Sequence, residues 1–238
     1  MPRNRTSIEK QLTLAQVAIN NALGDPSLYA ALSAYGYNAD RLQQGYALRE
    51  KVRALHQRQK GEYGDLFRAT DALEAAQRQA HDTYMRYVKV ARVVLKNDRG
   101  AQQKLNLSAQ RKRNLSGWLE QAQQFYTNAL ADSGILDSLA EFGITQALLE
   151  AGRRQMDVVG ASDAQRRQCK GAAQDATRLR DEAVAALEAW MSDFMQIARV
   201  ALQDRPQFLE KLGLAATAGR TAARAPTPIV TNVAPPTG

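Results

Sequence analysis

One cysteine, Cys169, and two histidines, His56 and His81, are all that this 238-residue chain offers toward metal or thiol chemistry. No internal disulfide can form, so the chain is not a disulfide-stapled scaffold. One thiol and two scattered imidazoles make no zinc set. Neither histidine follows a glutamate at a spacing of three, so the inward Glu-x-x-His pairs of di-iron bundles are missing too. The glycines are dispersed, with no Gly-rich turn ending in Gly-Lys-Ser/Thr to cradle a phosphate. These absences lead to an expectation of no cofactor, no metal and no catalytic site. Apolar runs fall far short of the roughly 20 residues that span a bilayer, and the basic start, Met1 to Arg5, leads into a mixed polar helix. A cytoplasmic protein without a transmembrane segment is expected. Aromatic residues are scarce at 6%, and strand-favouring patterns are nearly missing.

What the chain has is alanine, leucine, glutamine and arginine in helical periods, and it has them twice. Slid by 107 residues, Asn21-Ala22-Leu23 and Asp25 fall on Asn128-Ala129-Leu130 and Asp132. The match runs on through Leu32/Leu139, Gly36/Gly143, Leu42/Leu149, Gly45/Gly152, Ala91-Arg92-Val93/Ala198-Arg199-Val200 and Lys104-Leu105/Lys211-Leu212 without a gap. A fixed period implies tandem units, here 1–107 and 108–214, followed by an Ala/Thr/Pro-rich tail at 215–238. The tail is expected to be extended, and a docking peptide is the sharper alternative.

Each repeat opens with an amphipathic helix, marked by Ile8, Leu12, Ala15, Ile19 and Leu23, and by Leu115, Leu119, Ala122, Tyr126 and Leu130. Asp25-Pro26 and Asp132 cap a short second helix that ends at Gly36 or Gly143, glycines suited to a left-handed helix terminus with an apolar neighbour. Asn38 and Thr145 cap the next helical stretch. From about 39 to 97 and from 146 to 204 there is no proline, and Val52, Leu55, Gln59, Tyr63, Leu66, Thr70, Leu73, Gln77, Ala80, Tyr84, Tyr87, Ala91 and Val94 form a heptad seam. Two readings stay open: one helix of roughly 90 Å, or a hairpin turning near 61–64 and near 160–162. The two glycine clusters do not align between repeats, which favours the continuous helix. The fold class is therefore all-α, a tandem duplication with long helices and four-helix-bundle-like ends, joined in the continuous reading by an antiparallel coiled coil of residues 52–78 and 159–185. That thin shaft, made polar by Arg166, Lys170 and Arg180, invites a second molecule.

The net charge of +8 is uneven: repeat one holds 17 Lys/Arg against 10 Asp/Glu, and repeat two 13 against 14. One basic cluster, Arg111-Lys112-Arg113, lies between the repeats; another, Arg86, Lys89, Arg92, Lys96 and Arg99, runs at spacings of three and four. Arg86, Lys89, Lys96, Arg99, Arg111, Lys112 and Arg113 are the candidate phosphate or partner contacts, against the plainer reading of a solvated helical face. Arg92 is set apart, because its mate Arg199 suggests that it serves the fold, paired with an acid. Cys169, among Arg166, Arg167 and Lys170, is either an activated thiol or an ordinary free one. Tyr84, Tyr87, Trp190 and Phe194 line a pocket or, as helical spacing favours, pack a core.

The leading expectation is a non-enzymatic scaffold working as a homo-oligomer or with a protein partner. A basic nucleic-acid or anionic-surface binder is the alternative, and a helical small-ligand binder or enzyme with its pocket near Tyr84 and Trp190 is the third.

Overall fold

The computed structural model describes residues 7–213, which are all-α: eight helices and no strand among the described residues. The expected tail at 215–238 lies outside them. No described helix is long and apolar enough to cross a membrane. In chain order the helices are α1 (Ile8–Gly24), α2 (Pro26–Ala34), α3 (Ala39–Val94), α4 (Arg99–Lys104), α5 (Leu115–Ala131), α6 (Ser133–Ala140), α7 (Gln146–Ala201) and α8 (Gln207–Lys211). α3 and α7 are each 56 residues long and unbroken, so neither 61–64 nor 160–162 forms a turn. Isolated helical glycines cost only about 1 kcal/mol each, too little to break a helix that is anchored by buried residues on both sides of them.

Helix ends follow local chemistry. Ser7 accepts from the Lys10 amide, Asp25 from those of Ser27 and Leu28, Asp98 from Ala101, Asn114 from Gly117, and Asp132 from Gly134 and Ile135. Each oxygen satisfies amides that the first helical turn leaves unpaired. Asn38 Oδ1 likewise takes the Arg41 amide at 3.0 Å, and Thr145 Oγ1 the Leu148 amide at 3.4 Å. Gly36 (φ +88°) and Gly143 (φ +80°) close α2 and α6 in the left-handed region. After each of them the chain returns an amide to the helix, Tyr37 to Leu32 O and Ile144 to Leu139 O, both at 3.0 Å. The apolar residue that seals each turn is the one after the glycine: Tyr37 and Ile144 are buried, whereas Tyr35 and Phe142 are exposed.

α5 begins and ends 107 residues after α1, and α7 does the same relative to α3. The hydrogen bonds recur with the helices. Asn21 Nδ2 donates to Lys211 O at 2.5 Å and Asn128 Nδ2 to Lys104 O at 2.6 Å; Lys211 Nζ pairs with Asp25 at 2.9 Å and Lys104 Nζ with Asp132 at 2.6 Å.

The chain divides into two compact units, whose border runs through α3 at Arg49/Glu50 and α7 at Leu187/Glu188. The first comprises α1, α2, the start of α3, the end of α7, and α8. Its core holds Leu12, Ala15, Ile19, Leu28, Leu32, Tyr37, Leu42, Phe194 and Leu202. Trp190 stacks on Phe194 (centroids 5.3 Å apart), and Tyr37 meets both rings edge-on. Here Ala22 is buried and Leu23 is 44% exposed, so the expected stripe on α1 lies one residue off at its end.

The second unit comprises α3 from Glu50, α4, α5, α6 and α7 to Leu187. Its continuous core runs from Leu73 to Val159 and centres on Tyr84, Trp118, Phe125 and Tyr126. On α5 Ala122 and Tyr126 of the expected stripe are fully buried, joined by Trp118, Phe125 and Ala129, while Leu115, Leu119 and Leu130 are only partly buried against them. Leu105 and Leu107, just after Lys104, are fully buried.

Candidate interaction surfaces

In the second unit α3 and α7 pack antiparallel. Gln59 Nε2 donates to Thr177 Oγ1 at 3.4 Å, and further along α3, Ala76 and Gln79 share a groove with Ala151, Arg154, Gln155 and Val158. Between Val52 and Leu73, no residue of α3 is buried. Leu55, Gln59, Leu66 and Thr70 of the expected seam are half-buried, while Tyr63 is 36% and Phe67 64% exposed. The two rings stand 6.4 Å apart in a tilted pair. Small and polar residues on α7 account for this thin packing. Ala173 and Ala176 are buried, and Asp163, with its side chain only 9% exposed, binds Arg166 at 3.1 Å and also Arg167. Those guanidinium groups hold the Asp163 carboxyl below its ordinary 3.8. Arg180, 17% exposed, pairs with Asp181 at 2.6 Å.

The basic candidates lie in this unit and divide by what they touch. Arg111 donates from Nη1 to Tyr84 Oη at 2.8 Å and from Nη2 to Leu107 O at 3.4 Å, with its guanidinium 5.5 Å from the Tyr84 ring centre. Lys112 Nζ pairs with Glu120 at 3.0 Å, and its backbone amide donates to the buried Gln121. Arg86, Lys89, Lys96, Arg99 and Arg113 are exposed and form no ion pair with another described residue. Arg86, Lys89 and Lys96 share one solvent-facing stripe, with the 65% exposed Val93 inside it. Residues 78–113 hold ten Lys/Arg against Asp82 and Asp98, and residues 114–150 hold five acids and no base. Arg92 serves the fold, but through a carbonyl rather than the expected acid: Nε and Nη2 both donate to Leu107 O, at 3.0 and 2.8 Å.

The remaining candidates are tied into packing. Tyr84 and Tyr87 belong to the second unit and Trp190 and Phe194 to the first. Tyr84 packs edge-on against Trp118 and Phe125, and burial raises its phenol above 10.0. His81 lies 5.9 Å from the Trp118 ring, and the half-buried Cys169 accepts from Gln165 Nε2 at 3.5 Å. Among the described residues, no group of His, Cys, Asp and Glu has the geometry to hold a metal ion. In the first unit an open cavity of about 520 Å³ is lined by Ala30, Ala31, Leu202 and Phe208 together with the polar Ser27, Asp204 and Arg205.

Compared with known proteins, the chain matches no family model, no curated protein and no solved structure. The exposed aromatic pair is what sequence reasoning missed. Its only signal was Phe67 four residues after Tyr63, lying off the heptad seam to which Tyr63 was assigned.

Proposed function

We propose that this protein is a non-enzymatic scaffold that works by self-association and by protein contacts along its long helices. The observation that carries this reading is the stretch of α3 from 53 to 72, where twenty consecutive helical residues include none that is buried. Such a stretch gains little from its own α7 partner, and helices of this length draw their stability from packing rather than propensity. Further burial has to come from another surface. The recurrence of helices, caps and the Asn-Lys-Asp contacts at a spacing of 107 supports a second element of the reading, that the chain is a duplication of one helical unit. Sedimentation equilibrium on the full chain over a wide concentration range tests the proposal. A mass rising above the 26.2 kDa of one chain is expected, and a mass fixed at that value removes self-association.

A second reading, contact with a polyanion such as nucleic acid or an anionic membrane surface, is favoured by the exposed cations Arg86, Lys89, Lys96, Arg99 and Arg113, which form no ion pair with another described residue. Phosphate contacts made this way release counterions, so affinity for a nucleic-acid duplex of arbitrary sequence falls steeply with salt. Reversing Arg86, Lys89 and Lys96 to Glu should abolish that binding. Affinity indifferent to salt, or to the reversal, counts against the reading.

A further inference from the structure

We propose that the α3 face carrying Tyr63 and Phe67 is the interface with a second copy of this chain, the two α3 helices meeting antiparallel about a two-fold axis between residues 63 and 67. This rests on the self-association reading above and names its surface. Lys60, Tyr63, Phe67, Asp71 and Glu74 recur at spacings of three and four, so they lie on one side of the helix. All five are exposed, with the two rings in the middle.

The charges on this face argue for a like partner and for its direction. Lys60 lies at one end, Asp71 and Glu74 at the other, and none of the three forms an ion pair with a described residue. By contrast, Arg58 pairs with Glu62, and Arg68 with Asp65, within their own helix. An antiparallel copy with Tyr63 beside the second copy's Phe67 brings Lys60 to the second copy's Asp71, with Glu74 one turn beyond. The same contacts repeat on the other side of the axis, as an isologous interface requires. A parallel copy would set Lys60 against Lys60 and Asp71 against Asp71, which like charge disfavours. The pairing also covers the stretch of α3 that its own α7 leaves open.

Sedimentation equilibrium on the full chain and its charge variants provides the test, with circular dichroism reporting helicity. The wild type should be a dimer. Phe67→Ser should weaken it about tenfold or more without loss of helix, because the ring is already 64% exposed. Lys60→Glu alone, and Asp71→Lys with Glu74→Lys, should each weaken the dimer, and the three changes together should restore it. Residues 60 and 71 of one helix are about 16 Å apart along its axis, so only contact between chains explains such rescue. A dimer indifferent to all these changes overturns this interface while leaving self-association in place. A wild type that stays monomeric overturns both. Loss of the dimer without charge rescue overturns the antiparallel pairing.

Discussion

A Cβ built on Gly152 would lie 2.4 Å from the Tyr126 ring, and one built on Gly171, in the same helix, would meet nothing within 4 Å. Tyr126 is fully buried among Tyr84, Tyr87 and Phe125, so its ring has nowhere to go. Alanine gains about 1 kcal/mol over glycine in a helix interior, while overpacking a tight core costs about 1–3 kcal/mol. Gly171→Ala should therefore raise stability by about 0.5–1 kcal/mol, and Gly152→Ala should lower it by up to about 2 kcal/mol. Urea denaturation of both variants checks the difference in sign; equal effects would mean that the Tyr126 ring yields. The matching of Gly45 to Gly152 was visible in the sequence, but the covering rings were not. Trp190 covers Gly45 from α7, whereas Tyr126 covers Gly152 from α5, so the two glycines serve different neighbours.

At the scale of elements, the helix termini were the most legible part of the fold, because capping is chemistry between residues two to four apart. Asp25, Asn38, Asp132 and Thr145 each cap the helix assigned to them, and both terminal glycines are left-handed. Gly143 has open space where a side chain would begin, so Gly143→Ala isolates backbone strain and should cost about 1–2 kcal/mol in thermal or urea unfolding. A smaller loss would mean that the end of α6 relaxes into another turn. Facing was less legible than ending. A period of three and four fixes a stripe only to within a neighbouring ridge, which is why Ala22 rather than Leu23 turns inward on α1, and why Trp118 and Phe125 join the expected Ala122 and Tyr126 inside α5 while Leu119 and Leu130 lie at its edge. The surface was least legible of all. Tyr63 fits the heptad as a seam residue, but small residues on α7, Ala173 and Ala176, leave it nothing deep to fill. Of the candidate cations, Arg111 and Lys112 bind groups within the unit, partners that spacing alone cannot reveal.

Across the whole molecule, both units hold groups whose change of protonation opposes folding at the extremes of pH. Lys211 and backbone amides keep the Asp25 carboxyl below its ordinary 3.8 in the first unit. Lys104 with backbone amides does the same for Asp132 in the second, as the two arginines do for Asp163. A lowered carboxyl binds fewer protons folded than unfolded. Its stabilising effect is complete above 3.8 and is lost as pH falls through the lower folded value. At the alkaline end, burial raises Tyr37, Tyr84 and Tyr126 above 10.0, and the Asp132 contact raises Lys104 above 10.5. A raised group stabilises fully below its unfolded value and loses that effect as pH climbs through the folded one. Melting temperature should thus stay level through neutral pH, as far as these groups decide it, and fall at both ends. Tyr126 isolates the alkaline limb, because its Oη is buried with no hydrogen-bond partner among the described residues. Removing a buried hydroxyl that bonds nothing is neutral or stabilising. Tyr126→Phe should leave the acid limb untouched, match or exceed the wild-type stability near neutrality by up to about 1 kcal/mol, and gain most above pH 10.0. Melting curves of the two proteins across pH decide the point: a variant that loses stability at neutral pH would show that the hydroxyl is bonded, and an unchanged alkaline limb would show that other phenols govern it.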